Sequence, residues 1–536
     1  MKKNVLLSVL SGLLLWVAWP PTPYSTFLLF VGLAPMLVAI ENIIRSDVKS
    51  KGKKIFRITF LGFFIWNTLS IFWVYNALKM VGAIAALPIS LVPYSLAPLL
   101  MATACWLYFR LRLITRRPIA LAGLVCFWIA YEYLHQSWPL AFPWMTLGNG
   151  FAVAHAWVQW YEYTGVYGGT IWIWVLNILA FLIYDDFRNK KNWRLQIRLI
   201  SAYIILLILP IGFSLYRYYS YKEQPNPSNI VAVQPNIDPY AKESSMPAAA
   251  QLNILTHLSD SLGQANTEFF LWPETAMPDP IDEDKIRSNA YFLQAQHFLS
   301  KYKNGNLLTG AETFKIYNNR ATETARPYDP QGHQFFDAYN AAVNIENSAN
   351  VQFYHKSKLV PGAESLPFES ELSFLKPVFE HLGGATGAYG SQKEPGVFYS
   401  QSGIGASPAI CYESIWGEWI AQSVRKGSQF IAIITNDGWW ENTPGKDQHL
   451  DYAKLRAIET RRWVCRSANT GISAFINQRG DVVQSTKWWV KTAIKQNINL
   501  NSDITFYVLH GDYIAKTGSL LALLGILFIV IRMFRK

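Results

Sequence analysis

The octapeptide SPAICYES, residues 407–414, reads as an apolar strand that runs into a turn, with Cys411 at the join and Tyr412 and Glu413 beside it. Strand ends along one edge of a sheet are where the sites of α/β proteins gather. A cysteine there is a candidate nucleophile, and equally a core residue, half of a disulfide or a metal ligand. The chain has four cysteines in 536 residues: Cys105, Cys126, Cys411 and Cys465. The first two fall in apolar runs and read as small hydrophobes. Cys465 reads as a buried thiol on a strand near the site. Four scattered cysteines do not make a disulfide framework, and no spacing rule supports a Cys411–Cys465 bridge.

Strands and helices alternate on either side of this octapeptide. NIVAVQPNI (229–237) reads as a buried strand, followed by a helical stretch and a second strand in TEFFLWPETAMP (267–278). A helix over 283–302 leads to NLLTGAETF, and 341–359 reads as a hairpin with NSAN at its turn. A helix near 414–426, the strand QFIAIITNDGWW, a helix over 447–463 and a second hairpin in GISAFINQRGDVVQS follow. This order implies an α/β domain whose helices cover its sheets. The Gly-rich stretch 380–396 reads as a mobile loop; it fits neither GxGxxG nor a P-loop, which argues against a nucleotide site.

The first 216 residues are different. Hydrophobic residues make up 51% of the chain, with 21 Trp, too apolar for an ordinary soluble protein. Apolar runs at 4–20, 24–44, 58–78, 83–108, 118–136, 160–183, 197–216 and 515–531 each approach the roughly 20 residues that span a bilayer. The net charge of +12 concentrates between them. Lys2 and Lys3 precede the first run, and Arg45 to Arg57 follow the second. Arg110 to Arg117 follow the fourth, Arg188 to Arg198 the sixth, and Arg532 to Lys536 the last. The loop from Ser137 to Tyr161 has no Lys or Arg. Basic and uncharged loops therefore alternate, as the positive-inside rule requires, which predicts cytoplasmic termini and residues 218–513 on the other side. The first run lacks a small-x-small cleavage site and reads as a retained span. The division is 1–217 with seven spans, a separate domain over 218–513 and a last helix over 514–536. No nucleic-acid-binding motif appears.

PLAFPWMTLGNG (139–150) lies in the uncharged outer loop, where Pro143 and Trp144 read either as an aromatic belt or as a lipid or substrate entrance. Glu132 and His135, near the outer end of their span, are either functional or simply hydrated.

Three polar residues end apolar strands or follow them: Glu274, Lys356 and Cys411. They suit acyl transfer. The thiolate attacks a carbonyl carbon, the carboxylate moves the protons, and the ammonium with a backbone N–H stabilises the oxyanion. Each has an ordinary reading too, as a cap, a surface charge and a core filler. His355, His449 and His510 have no zinc spacing, and GxSxG is absent.

LWPETAMP, YHKSKLVPGAE and PAICYES, in this order, resemble the Glu–Lys–Cys signatures of the nitrilase (carbon–nitrogen hydrolase) superfamily. KLVPGAE, TNDGWW and RAIETRRWVCRSANTGISAFI are similar to its bacterial apolipoprotein N-acyltransferase branch, as are AFPWMTLG and TGVYGGTIWIWVLN in the apolar half. The resemblance implies an integral membrane helical bundle of about eight spans carrying an extracytoplasmic α-β-β-α sandwich. It implies a bacterial inner-membrane enzyme with its catalytic domain on the periplasmic side. It also implies a ping-pong reaction, in which an acyl chain passes from a phospholipid to Cys411 as a thioester. The chain then passes to the α-amine of an apolipoprotein's N-terminal diacylglyceryl-cysteine. Carried over, Glu274 is the general base, Lys356 the oxyanion stabiliser and Cys411 the nucleophile. Glu364 and Glu413 are supporting acids, and Tyr412 N–H is the second oxyanion donor. The family spacing from Lys to the Glu of VPFGE selects Lys356 over Lys358. No metal or organic cofactor is implied, and the chain is expected to act as a monomer. Three departures stand out: PGAE (361–364) for PFGE, ETRR (459–462) for ETGR, and no Trp between the first strand's VQ and Glu243. Two other functions share these features: a membrane-tethered amidase or nitrilase acting on a small amide, and a non-catalytic envelope protein that binds lipid or lipoprotein.

Overall fold

The computed structural model describes residues 1–79, 82–189, 192–240, 246–365, 367–368 and 389–534. The chain divides into two compact units. One comprises 1–78, 86–220 and 512–536; the other comprises 79–85 and 221–511. Residues 380–388 of the Gly-rich stretch lie outside the described residues.

In the first unit, helices occur at each of the eight apolar runs. Among the described residues, six stretches are long and apolar enough to cross a membrane: Thr26–Arg45, Ala86–Arg112, Arg117–Ser137, Val166–Arg188, Trp193–Ser220 and Tyr513–Phe534. Of the other two, Lys2–Ala18 has 17 residues, and Lys51–Ile71 opens with Lys51, Lys53, Lys54 and Arg57.

Three of the runs are not single helices; the one at 160–183 is a short helix, Tyr161–Thr164, and after Gly165 the helix Val166–Arg188. The run expected at 24–44 breaks between a 3-10 segment, Thr26–Phe30, and the helix Ala34–Arg45. A backbone break inside a bilayer is tolerated only where protein satisfies the freed groups. Asn177 does so. Its Oδ1 accepts from Leu33 N (2.7 Å) and Ala34 N (3.0 Å), and its Nδ2 donates to Leu29 O (2.7 Å) and Ile173 O (2.8 Å). The run expected at 58–78 ends its first helix at Ile71 and resumes over Val74–Leu78. The Tyr94 hydroxyl bridges that break, donating to Phe72 O (2.7 Å) and accepting from Tyr75 N (3.2 Å). In Trp193–Ser220, Pro210 has no N–H for Leu206 O. The Trp172 indole N–H takes that carbonyl instead, at 2.7 Å.

Glu132 is not hydrated. It is 1% exposed, and it accepts from Trp128 Nε1 (2.9 Å), Leu147 N (2.8 Å) and Thr170 Oγ1 (2.9 Å). It thereby ties the 139–150 segment, which forms two short 3-10 turns, to two helices. His135 is buried as well, its Nδ1 accepting from Trp138 Nε1 at 3.2 Å.

The second unit is a four-layer sandwich. Its strands are β1 Pro227–Gln234, β2 Thr267–Leu271, β3 Ile281–Asp282, β4 Asn306–Tyr317, β5 Arg326–Pro327, β6 Phe335–Glu346 and β7 Val351–His355. They continue with β8 Phe398–Tyr399, β9 Gly405–Ile410, β10 Phe430–Thr435, β11 Val464–Ala468, β12 Ala474–Ile476, β13 Val482–Ser485 and β14 Thr492–Asn499. One sheet runs β14-β1-β2-β4-β6-β5, with β3 on β4 and β7 on β6; the other runs β13-β12-β11-β10-β9-β8. Both are mixed, with parallel centres β1-β2-β4 and β9-β10-β11.

Alternation along the strands explains the layers. Val231, Val233, Phe270 and Trp272 share a core with Leu252, Leu255, Phe292 and Phe298 of helices Ala248–Leu262 and Ala290–Leu299. On the other sheet, Ile431, Ile433 and Val464 pack on Ile420, Ala453 and Ala457 of helices Gly417–Arg425 and Pro444–Thr460. The sheets meet through Phe269 against Phe430 (5.1 Å, edge to face) and through Ser467 Oγ donating to Val233 O (2.8 Å).

Both expected hairpins form, β6–β7 around residues 347–350 and β12–β13. The helix expected over 283–302 is split into a 3-10 turn, Glu283–Ser288, and the helix from Ala290. Asn289 explains the split, because its side chain caps Tyr291 N (2.9 Å) and Phe292 N (3.1 Å). The helix expected over 447–463 starts earlier, with Pro444 in its first turn, and ends at Thr460.

Replacing Asn177 with Leu strands Leu33 N–H and Leu29 C=O in an apolar surround, while Ala34 N keeps Val31 O at 3.1 Å. The expected loss is roughly 2–4 kcal/mol, read as a lower midpoint of thermal unfolding in detergent. An unchanged midpoint would contradict this account of the break.

Candidate active site

Three residues in the left-handed region mark the strand ends of the second unit: Asn236 (φ 55°) after β1, Thr275 (φ 47°) after β2 and Cys411 (φ 52°) after β9. For a residue with a Cβ this conformation costs about 1–3 kcal/mol, so the surrounding structure must hold it. Beside Glu274, a glycine makes the fit possible. A Cβ on Gly310 of β4 would stand 2.5 Å from Thr275 N and 2.6 Å from Glu274 Cα. The two backbones are joined by Gly310 N to Pro273 O and Met277 N to Gly310 O, both 3.1 Å.

Lys356 follows β7 directly, and its N–H donates to Asn340 O at 2.8 Å. Its side chain is 1% exposed. Nζ lies 3.1 Å from Glu274 Oε1 and 2.8 Å from Glu364 Oε1. Asn340 Nδ2 donates to the same two oxygens, at 2.8 and 2.9 Å. Glu274 Oε2 accepts from Asn436 N (3.2 Å), and Glu364 Oε2 from Val360 N (2.8 Å). Burial alone would favour the neutral amine. The carboxylates of Glu274 and Glu364 outweigh it and hold the Lys356 pKa well above its ordinary value.

Cys411 is buried. Burial, with the Glu274 carboxylate beside it, pushes its thiol pKa up, while the Lys356 ammonium pulls the other way. The resting group is therefore a thiol, and a nucleophilic role would require a base to take its proton. Glu413 fixes its loop: Oε1 accepts from Ser357 N (2.6 Å), Lys358 N (3.2 Å) and Tyr354 Oη (2.9 Å), and Oε2 from Ile410 N (3.0 Å). One carboxylate thus pins the loop after Lys356 to the turn that carries Cys411. Burial raises the Glu413 pKa. Tyr412 is buried, its ring edge to face with Trp416 at 4.8 Å.

Beneath the turn lies a buried polar cluster. The Cys411 carbonyl accepts from Ser414 Oγ (2.8 Å) and His449 Nε2 (3.1 Å). His449 Nδ1 lies 3.0 Å from Asp437 Oδ1, which also accepts from Thr435 Oγ1 (2.9 Å). Arg466 Nη2 pairs with Asp437 Oδ2. Burial would raise the Asp437 carboxyl, but Arg466 and His449 outweigh it and lower its pKa to about 2.

The structure brings Glu274, Lys356 and Glu364 into one network, with Cys411 in their field and Glu413 behind it. Lys358 points elsewhere, its ammonium 4.4 Å from the Trp419 ring centroid. Pro143 and Trp144 belong to the first unit and are buried there, Trp144 packed on Trp73 (4.8 Å) and Phe142 (5.9 Å). All four cysteines are free thiols, and Cys465 is buried on β11. Among the described residues no His/Cys/Asp/Glu group could hold a metal.

Asn340 and the Ser414–His449–Asp437–Arg466 cluster escaped the sequence reading. Asn340 had a signal, a polar residue directly before the apolar part of its strand, on the hairpin that ends at Lys356. Two departures gain a physical account. Arg461, where ETGR has Gly, takes the left-handed cap of its helix (φ 50°). Its strain is offset by Nη1 donating to Gln478 O (3.0 Å) and by the Tyr221 ring 4.6 Å away. In PGAE, Gly362 (φ 87°) makes the turn that returns Glu364 to Lys356.

Residues 230–502 match the carbon–nitrogen hydrolase family model, and residues 11–179 match the apolipoprotein N-acyltransferase N-terminal domain. Relatives that carry the name apolipoprotein N-acyltransferase align over almost the whole chain. That of Chlorobaculum tepidum is 28% identical, covering 99% of this chain and 97% of its own. Those of Geobacter metallireducens (25% identical, 96% and 93%) and Thermotoga maritima (26% identical, 98% and 93%) align over nearly the same length.

Two outcomes follow from the geometry. Gly310→Ala displaces the Glu274 backbone, so thioester formation should fall at least 10-fold, by analogy with small misplacements of reacting groups, while the fold is retained. Asp437 has its pKa depressed on folding, so its contribution is present above the unfolded value of about 4 and is lost as pH falls through about 2. Thermal midpoints measured between those limits should reveal roughly 2–3 kcal/mol of lost stability. Asp437→Asn should flatten that slope and lower stability at neutral pH, because Arg466 is left buried without its counter-charge.

Proposed function

The chain belongs to the carbon–nitrogen hydrolase family, and on that premise we propose that it is a membrane acyltransferase that N-acylates bacterial apolipoproteins through a thioester on Cys411. The observation that carries this reading is the meeting of Glu274, Lys356 and Cys411 at strand ends, in a chain that also holds apolar helices fit to cross a membrane. The family matches over both parts of the chain support it.

In the first half-reaction Glu274 takes the Cys411 proton as Sγ attacks the ester carbonyl of a phospholipid. The negative charge that forms on the carbonyl oxygen is met by the Lys356 ammonium and the Tyr412 N–H. The C–O bond breaks, and the lysophospholipid hydroxyl leaves with the proton from Glu274. In the second half-reaction the α-amine of the diacylglyceryl-cysteine attacks the thioester carbonyl and gives a proton to Glu274. The C–S bond then breaks, and Cys411 recovers that proton as a thiol. Glu364 and Asn340 hold Lys356 and Glu274 in place throughout. The basic clusters support a topology of seven spans before the catalytic domain and one after it, with both termini in the cytoplasm and residues 218–513 on the periplasmic side.

Full-length protein in detergent micelles with dipalmitoyl phosphatidylethanolamine should gain one palmitoyl group by intact mass, released by hydroxylamine. Cys411→Ala should gain none. Lys356→Ala should slow acylation by roughly 100- to 1,000-fold, the scale of losing an oxyanion partner, and Lys358→Ala by less than about 5-fold, the scale of a surface charge. Absence of acyl mass on the unaltered protein, or its persistence in Cys411→Ala, would overturn the reading. Loss in Lys358→Ala alone would overturn the assignment of Lys356.

A further inference from the structure

The Cys411 carbonyl and the Tyr412 N–H belong to one peptide unit. A trans peptide is planar, so its C=O and N–H point in opposite directions, and fixing one fixes the other. The carbonyl is fixed from behind, by His449 Nε2 at 3.1 Å and Ser414 Oγ at 2.8 Å. A carbonyl oxygen only accepts, so His449 carries a proton on Nε2. Its other nitrogen sits among Asp437 Oδ1 (3.0 Å) and Arg466 Nη2 (3.1 Å), and Arg466 Nε is itself anchored on Ile472 O (3.0 Å). His449, Asp437 and Arg466 are each 0% exposed. Burial and the Arg466 charge lower the His449 pKa, while the Asp437 carboxylate beside Nδ1 raises it.

We infer that His449, braced by Asp437 and Arg466, is a positioning residue that aims the Tyr412 N–H at the developing oxyanion by holding the carbonyl of the same peptide unit. Ser414 Oγ, 3.0 Å from His449 Nε2, completes the clamp. The cluster looks like a Ser–His–Asp hydrolase triad. Its Ser414 hydroxyl is committed to the Cys411 carbonyl and is buried, so it serves geometry and not attack. The clamp also explains how a residue with a Cβ is kept at φ 52° between β9 and the following turn. The inference rests on the acyltransferase reading above.

Two reactions at Cys411 separate aim from general damage. Acylation passes through a tetrahedral oxyanion and needs the Tyr412 N–H; alkylation by iodoacetamide at a saturated carbon needs no oxyanion donor. In full-length protein, His449→Leu should slow single-turnover acylation by dipalmitoyl phosphatidylethanolamine by roughly 10- to 100-fold at saturating lipid, below the full loss of a donor. The half-saturating lipid concentration and the alkylation rate should stay within about 2-fold, because uniform binding and the thiol itself are untouched. His449→Gln places an amide N–H at similar reach and should recover acylation to within about 5-fold, a donor having been restored. If His449→Leu does not fold, His449→Asn gives the same contrast, since its shorter amide does not reach the carbonyl. A proportional fall of alkylation and acylation would overturn the inference, as would unchanged acylation in His449→Leu or absence of rescue by Gln. A wild-type protein that alkylates but never acylates would instead overturn the acyltransferase reading.

Discussion

A lysine ammonium held away from water between two carboxylates is the constraint around which the second unit is organised. An unpaired ammonium so deeply buried would shed its proton or unfold its surroundings, and removing one partner of such a group costs about 3–5 kcal/mol. Glu274 and Glu364 are therefore bound to stay where they are, and Asn340 ties them together. The consequences spread outward. Glu274 can reach Lys356 only if the Pro273–Thr275 backbone presses against β4, which requires the glycine at 310. Glu364 can return to Lys356 only through a tight turn, which Gly362 provides. The β6–β7 hairpin delivers Lys356 at the end of a strand whose partner carries Asn340, five paired positions from the turn.

The same network suits the chemistry proposed above. A thiol pushed up by burial and by a neighbouring carboxylate is a poor nucleophile until a base takes its proton, and in the reaction proposed above the carboxylate responsible for part of that shift would be that base. Holding the thiol protonated at rest also shields it from adventitious oxidation, to which thiolates are the more susceptible form. The permanent charge on Lys356 is of little use to a neutral thiol and of great use to an oxyanion, so its effect is felt chiefly in the transition state.

Much of this was legible in the residues. Alternating apolar strands and intervening helices pointed to an α/β domain with helices over its sheets, the family resemblance implied the sandwich, and the polar residues at the ends of FFLWPE, VQFYHK and SPAIC marked one edge. What could not be read were polar contacts that depend on three-dimensional approach. Asn177 repairs a span that hydropathy draws as continuous, because hydropathy counts side chains and is blind to orphaned backbone groups. Asn289 splits a helix that periodicity draws as one. His449 looked like a histidine without metal spacing, since its partners Cys411, Asp437 and Arg466 are brought together only when β9, β10 and β11 align. Arg461 looked like a defect in a Gly position, and the compensating Gln478 and Tyr221 lie far off in sequence.

The helix Trp193–Ser220 is joined to its unit in an unusual manner. Ser214 is its one buried residue among those described. Its links are polar: the Trp172 indole on Leu206 O, and Ser214 Oγ between Ala156 O (2.8 Å) and Gln159 N (2.6 Å). Hydrogen bonds of this kind hold well where no water competes for them, and weaken wherever water enters. The grip on this helix, which also includes the Arg217–Glu162 ion pair (2.8 Å) and the Tyr218 ring against His155, thus depends in part on the dryness of its surroundings. A thick, well-sealed hydrocarbon layer keeps it docked, and a thin or detergent-loosened one removes the condition on which docking depends.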